Sequence, residues 1–223
     1  AGPVSITGNI SGSGGVTLSG AGTTTFSGGN SYAGDTTVSG GTLLVEGYTE
    51  PTGLVNVSSG ATLGGSGQVG IVTVTDGFFA PGGVADTTLD VNSLTLDPAA
   101  TLVIGLDDPG LPAWNDLIQI STSFTLAGQI NVVPQPGAPG YDFLSATAGT
   151  QWLVATYAPG NLVNAAPVTI GSAPALSSGL AWKVDTTTTD GSVFLTVVVP
   201  EPASSALLAA GLLVLLLRRR QAA

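Results

Sequence analysis

The sequence predicts an all-β chain wound as a parallel β-helix, a solenoid, and three observations point there. Apolar residues alternate with Thr, Ser or Asn over short runs, Gly-rich corners separate those runs, and related triplets recur about 20 residues apart. Alternation with a period of two marks a half-buried strand. A repeat of 20-odd residues marks a solenoid, in which each unit buries its apolar face on its neighbours.

The repeat is carried by an apolar residue followed by Ser-Gly, at Leu18-Ser19-Gly20 and Val38-Ser39-Gly40, with Ser59-Gly60 following Val57 after one further Ser. The strand entries repeat as well. Gly41-Thr42-Leu43 returns as Ala61-Thr62-Leu63 at +20 and as Ala100-Thr101-Leu102 at +39, close to two periods. Within the units the inward pairs are Val16/Leu18, Leu43/Val45, Val55/Val57, Val72/Val74, Leu89/Val91, Leu94/Leu96 and Leu102/Ile104. Gly28-Gly29-Asn30, Gly64-Gly65, Asp76-Gly77 and Pro81-Gly82-Gly83 are the expected corners, where glycine supplies positive φ.

These residues also resemble a family. Ile10 to Gly47 is similar to the autotransporter-associated β-strand repeat, and Ser58 to Gly83, with its Ala80-Pro81-Gly82 turn, is similar to the element that often follows it. The resemblance covers about residues 10–106 and implies a right-handed β-helix at a cell surface, without catalytic residues. A classical autotransporter would end in a membrane β-barrel, and the expectation is that this chain carries none.

Asp107-Asp108-Pro109-Gly110 reads as a turn, after which strands resume at Leu117–Ile120, Phe124–Leu126 and Gln129–Val133. Residues 1–133 are thus expected to form the repeat region. Beyond Pro134-Gln135-Pro136-Gly137 the strands become longer and more aromatic, with Tyr141, Phe143, Trp152, Tyr157 and Trp182. A solenoid needs an atypical terminal unit to close its core, so residues 134–199 are expected to be a β-rich cap.

Residues 200–223 read as a separate tail. Pro200-Glu201-Pro202 ends any preceding ladder, because proline has no N–H to donate. The run Ala203–Leu217, with Leu207, Leu208, Leu212, Leu213, Val214, Leu215, Leu216 and Leu217, reads as a short apolar helix. At about 1.5 Å per residue it spans roughly 22 Å, short of the ~30 Å hydrocarbon core. Arg218, Arg219 and Arg220 follow, and basic clusters beside an apolar helix mark its cytoplasmic side. The order of these three pieces, from Val199 to Arg220, resembles the PEP-CTERM sorting signal of exosortase substrates. The resemblance implies transient anchoring in the inner membrane, processing by an exosortase-type enzyme at the Pro-Glu-Pro box, and delivery to the cell surface or an exopolysaccharide matrix. A buried C-terminal helix that packs subunits together is the competing reading of the same residues.

Composition narrows the function classes. The chain is 43% hydrophobic, which suits a folded body, and it has no Met, as expected after removal of a secretory signal peptide. Residues 1–199 hold 13 acidic side chains against Lys183 alone, a balance that excludes nucleic acid as a partner. Without His or Cys the common nucleophilic triads and zinc sites cannot be assembled, so the chain is expected to be non-enzymatic and to need no cofactor. Two weaker sites remain. Calcium needs only oxygen ligands, and Asp107 with Asp108, or Asp185 with Asp190, are the places for it, although Asp also suits turns for its own backbone bonding. Trp114, Trp152 and Trp182 are candidates for stacking on sugars, against the more ordinary role of filling a cap. The leading reading is therefore an exported structural protein of the cell surface or matrix. A self-assembling subunit of a homopolymeric fibre and a polysaccharide-binding adhesin are the alternatives.

Overall fold

The computed structural model describes residues 2–50, 52–82, 88–111, 114–135, 140–164, 167–186 and 191–201. These residues form an all-β body whose strands fall into two sheets, one of eight and one of 13 strands. The eight-stranded sheet runs Val4–Ile6, Thr23–Phe26, Thr42–Val45, Thr62–Gly65, Phe78–Pro81, Thr101–Leu106, Gln129–Pro134 and Thr169–Ile170, and every neighbouring pair is parallel. Strands adjacent in this sheet are not adjacent in sequence, because the chain visits the other sheet between them. Such parallel stacking is consistent with a β-helix.

The register shows why the sequence is periodic. Leu43 pairs with Leu63, Leu63 with Phe79, Phe79 with Leu102, and Leu102 with Ile130. All five are buried, at 0–2% exposure, and stack as one apolar column. The +39 recurrence between Leu63 and Leu102 spans two coils, with Phe79 in the hidden one. A second column runs Leu18, Val38, Val57, Val74 and Leu96 on the other sheet. Burying such columns coil upon coil is the main stabilising term, at about 25 cal/mol per Å² of apolar surface.

Corners work in two ways. Gly65 and Gly82 have φ of 112° and 87°, the left-handed region expected of them. Gly28 and Gly77 do not. They are required for close approach instead, since a Cβ on Gly28 would fall on the carbonyl of Gly8, and one on Gly77 would sit 2.6 Å from the Ala61 carbonyl. Asn30 is 1% exposed at the same corner as Gly28, where its Oδ1 accepts from Ile10 N–H (3.0 Å) and its Nδ2 donates to the carbonyls of Gly28 (3.2 Å) and Tyr48 (3.3 Å). A buried amide is tolerated there because it joins three successive coils.

Parallel pairing continues past residue 133, with Leu162–Asn164 and Thr169–Ile170 each stacked on the preceding coil. Antiparallel pairing between named strands enters at the far end. Ser192–Val198 lies between Gln151–Tyr157 and Ala181–Asp185 and runs antiparallel to both. The apolar helix expected at Ala203–Leu217 lies outside the described residues, and no helix among those described is long and apolar enough to cross a membrane.

Candidate functional site at the tail end of the coil

The end from which the tail departs is closed by aromatic side chains. Trp152 is 1% exposed, and its ring centroid lies 5.1 Å from Trp182 and 5.8 Å from both Tyr141 and Phe143. Its Nε1 donates to the Asp107 carbonyl (2.6 Å), so the indole is held at its polar tip as well as over its faces. Trp182 is partly buried, packs on Phe143 at 5.9 Å, and donates from Nε1 to the Pro174 carbonyl (3.0 Å). Aromatic pairs at these separations contribute about 0.5–1.5 kcal/mol beyond burial. Trp152, one of the three residues considered for sugar stacking, is thus enclosed by this cluster. Trp114 is half-buried in the stretch that precedes Leu117–Leu126.

Of the calcium candidates, Asp107 and Asp108 point in different directions. Asp107 is 2% exposed, whereas Asp108 turns outward and its Oδ1 accepts from Gly110 N–H (2.8 Å), the self-contained turn geometry common for Asp. Asp185 ends the strand Ala181–Asp185, and Asp190 lies outside the described residues. Among the described residues no three acidic side chains gather to hold a metal ion.

Beneath the cap lies a polar group that the sequence pattern does not mark. Asn115 Oδ1 accepts from Asp107 N–H (2.6 Å), and its Nδ2 donates to the carbonyls of Asp108 (3.1 Å) and Leu111 (3.3 Å). Asp116 is 5% exposed and accepts from Gly105 N–H (2.6 Å) and Gln135 Nε2 (3.2 Å). The one available signal is Asn115-Asp116 set between Trp114 and the alternating run from Leu117. Burial pushes the Asp116 carboxyl up from 3.8 to about 7, while its two hydrogen bonds pull the other way.

A group whose folded pKa is raised binds more protons folded than unfolded, so its contribution is fully present below about pH 4 and is lost as pH rises through about 7. The part of the stability that depends on Asp116 is expected to fall across that window by an amount on the order of 4 kcal/mol. Urea unfolding from pH 4 to 8 tests this. Asp116→Asn should flatten that part of the profile, and an unchanged slope in the variant would refute the assignment.

The tail starts where this closed end finishes. Ser192–Val198 is held on both sides, and its inward positions Val193, Leu195 and Val197 are 0–1% exposed, whereas Val199 just beyond is 65% exposed. Pro200 and Glu201 leave the sheet as exposed chain, so the body is complete before the Pro-Glu-Pro box begins. Pro202 and the residues after it, including the apolar run and Arg218–Arg220, lie outside the described residues.

Comparison with known families agrees with both halves of this layout. A model of the PEP-CTERM protein-sorting motif matches residues 198–220, beginning at the last residue of the final strand. A model of the passenger-associated-transport-repeat matches residues 16–45, the first regular coils. No curated protein matches the chain. The motif marks an exported protein, sorted by an exosortase to the cell surface or extracellular space. The chain thus joins an autotransporter-like passenger repeat to a PEP-CTERM sorting tail.

Proposed function

We propose that this chain is a non-enzymatic structural protein of the cell surface or extracellular matrix, a right-handed parallel β-helix delivered through its C-terminal signal. The observation that carries the reading is the junction at Val198–Glu201. The final strand is paired on both sides, and Pro200 and Glu201, the first two residues of the sorting box, follow at once in exposed chain. A processing enzyme can therefore reach the start of the box, at Pro200 and Glu201, without unfolding the body. In this reading Ala203–Leu217 is held in the inner membrane with Arg218–Arg220 on the cytoplasmic side, and removal of that segment releases the rod. The body's function is its shape and surface, since a chain without His or Cys supplies no common nucleophile-base pair.

The test is to replace Pro200, Glu201 and Pro202 together with alanine in the source cell. The body is expected to keep its circular dichroism spectrum while the protein shifts from the surface fraction to the inner-membrane fraction. Undiminished surface protein in this variant would end the proposal.

A further inference from the structure

One row on the outer face of the 13-stranded sheet is built of polar side chains on successive coils. Gln68 pairs with Asp90, Asp90 with Gln119, and Gln119 with Thr156, so the four stand side by side and face the same way. Strand spacing sets them about 4.8 Å apart. Tyr48 extends the row by one coil beyond Gln68. Their neighbours along the strands, Val69, Leu89, Val91, Ile118 and Ile120, are buried, as alternation requires. Gln68, Asp90 and Gln119 are exposed, and no hydrogen bond engages their side chains among the described residues.

Solvation accounts for exposed polar side chains, but not for a concavity among them. Gln68, Asp90, Gln119, Ser121 and Thr156 line a hollow of about 300 Å³ that opens to solvent. It lies at a β-bulge. Asn92 alone stands between Val91 and Ser93, whereas Ser121 and Thr122 both stand between their partners Ile120 and Ser123. Such an extra residue bends its strand, and Thr122 Oγ1 fastens the bend by donating to the Asn92 carbonyl (2.7 Å). On the other side the next coil pairs with Ile118–Ile120 and again with Phe124–Leu126, so no strand lies over Ser121 between them.

We infer that this cleft binds an uncharged polysaccharide, its chain laid across the strands along the row. Sugar hydroxyls both donate and accept. A glutamine amide answers both, and a carboxylate accepts from two adjacent hydroxyls at once. The coil repeat is comparable with the length of one sugar in an extended glycan, so successive sugars would each meet a planar polar group. Tyr48 adds a partly exposed ring beside Gln68 for a sugar face to rest on. Charge selects among glycans. Asp90 stands in the cleft, and residues 1–199 hold 13 acidic side chains against Lys183 alone, so a uronate-bearing chain would be repelled. No tryptophan among the described residues lines the hollow, which makes it separate from the aromatic cluster. The row belongs to the body, so binding there does not depend on the sorting tail.

Affinity electrophoresis of the full chain in mild detergent tests the inference. Gels are cast with hydroxyethyl cellulose, galactomannan, dextran or polygalacturonate, and mobility is taken relative to a gel without polymer. At least one of the three neutral polymers should retard the chain, and polygalacturonate should not. Replacing Asp90→Ala and Gln119→Ala together, with an unchanged circular dichroism spectrum, should lower the association constant at least about tenfold, as losing several hydrogen bonds requires. Gln119→Ala alone should lower it about threefold or more, and serves if the paired change does not fold. Lys183→Ala, outside the cleft, should bind as the parent chain does. Passage unretarded by all three neutral polymers would overturn the inference. Equal retardation by polygalacturonate would overturn it too, as would retention that the cleft substitutions leave unchanged.

Discussion

Replacing Trp152 with alanine is expected to cost about 3–5 kcal/mol, the range for truncating a fully buried aromatic residue. The side chain is 1% exposed and lies against Tyr141, Phe143 and Trp182, so nothing near it is free to collapse into the space. The change also leaves the Asp107 carbonyl without the indole donor it now has at 2.6 Å. Total stabilities of about 5–15 kcal/mol are usual, so a loss of this size removes a large part of the whole. Trp152→Phe separates the two contributions. It keeps a ring in the cluster but not the donor, and should cost about 1–3 kcal/mol. Urea unfolding followed by circular dichroism measures both. A loss below about 1 kcal/mol for Trp152→Ala would show that the cluster does not close the core.

The second large effect is expected at a glycine corner. Gly67, Gly47 and Gly28 stack on successive coils, and a Cβ on Gly67 would fall on the carbonyl oxygen of Gly47. The obstacle is backbone in the middle of the stack, which cannot turn aside as a side-chain tip would. Gly67→Val is therefore expected to exceed about 4 kcal/mol of destabilisation, well beyond the usual range for a point change. Gly20 is the control, since it has no heavy atom within 4 Å of the corresponding position and no positive φ. Gly20→Ala should stay within about 0.5 kcal/mol. Equal tolerance at the two positions would mean that the coils approach less closely than the Gly67–Gly47 contact requires.

The contrast between Gly20 and Gly67 shows where sequence reading stops. Both lie in similar Ser- and Gly-rich contexts, and only stacking tells which of them touches another coil. The Leu43 and Leu63 column is legible because those coils are separated by a regular 20 residues in register. Phe79 escapes the pattern, since the next steps are 16 and 23 residues and the periodic signal breaks. Strands at Gln151–Tyr157 and near Val193–Val199 are readable from alternation, but alternation is the same for parallel and antiparallel neighbours. Their reversal at Ser192–Val198 follows from the pairing with Ala181–Asp185, which is a matter of connection and not of local pattern.

The site shows the same division. Pro200-Glu201-Pro202 is readable because order alone defines it: a proline break, an apolar run, then three arginines. Asp107 and Asp108 illustrate the opposite. Neighbours in sequence, they point to the interior and to solvent respectively, and a pair of adjacent carboxylates carries no information about that division. Asp116 gives no signal of its own, because one carboxylate beside a strand looks like any turn residue until Gly105 and Gln135 enclose it.

The most direct measurement is the mass of the C-terminal peptide on protein recovered from outside the cell. Sorting through the tail predicts a chain that ends at or beside Pro200-Glu201-Pro202 and lacks both the apolar run and Arg218–Arg220. Extracellular protein that still carries the apolar run and Arg218–Arg220 would contradict it.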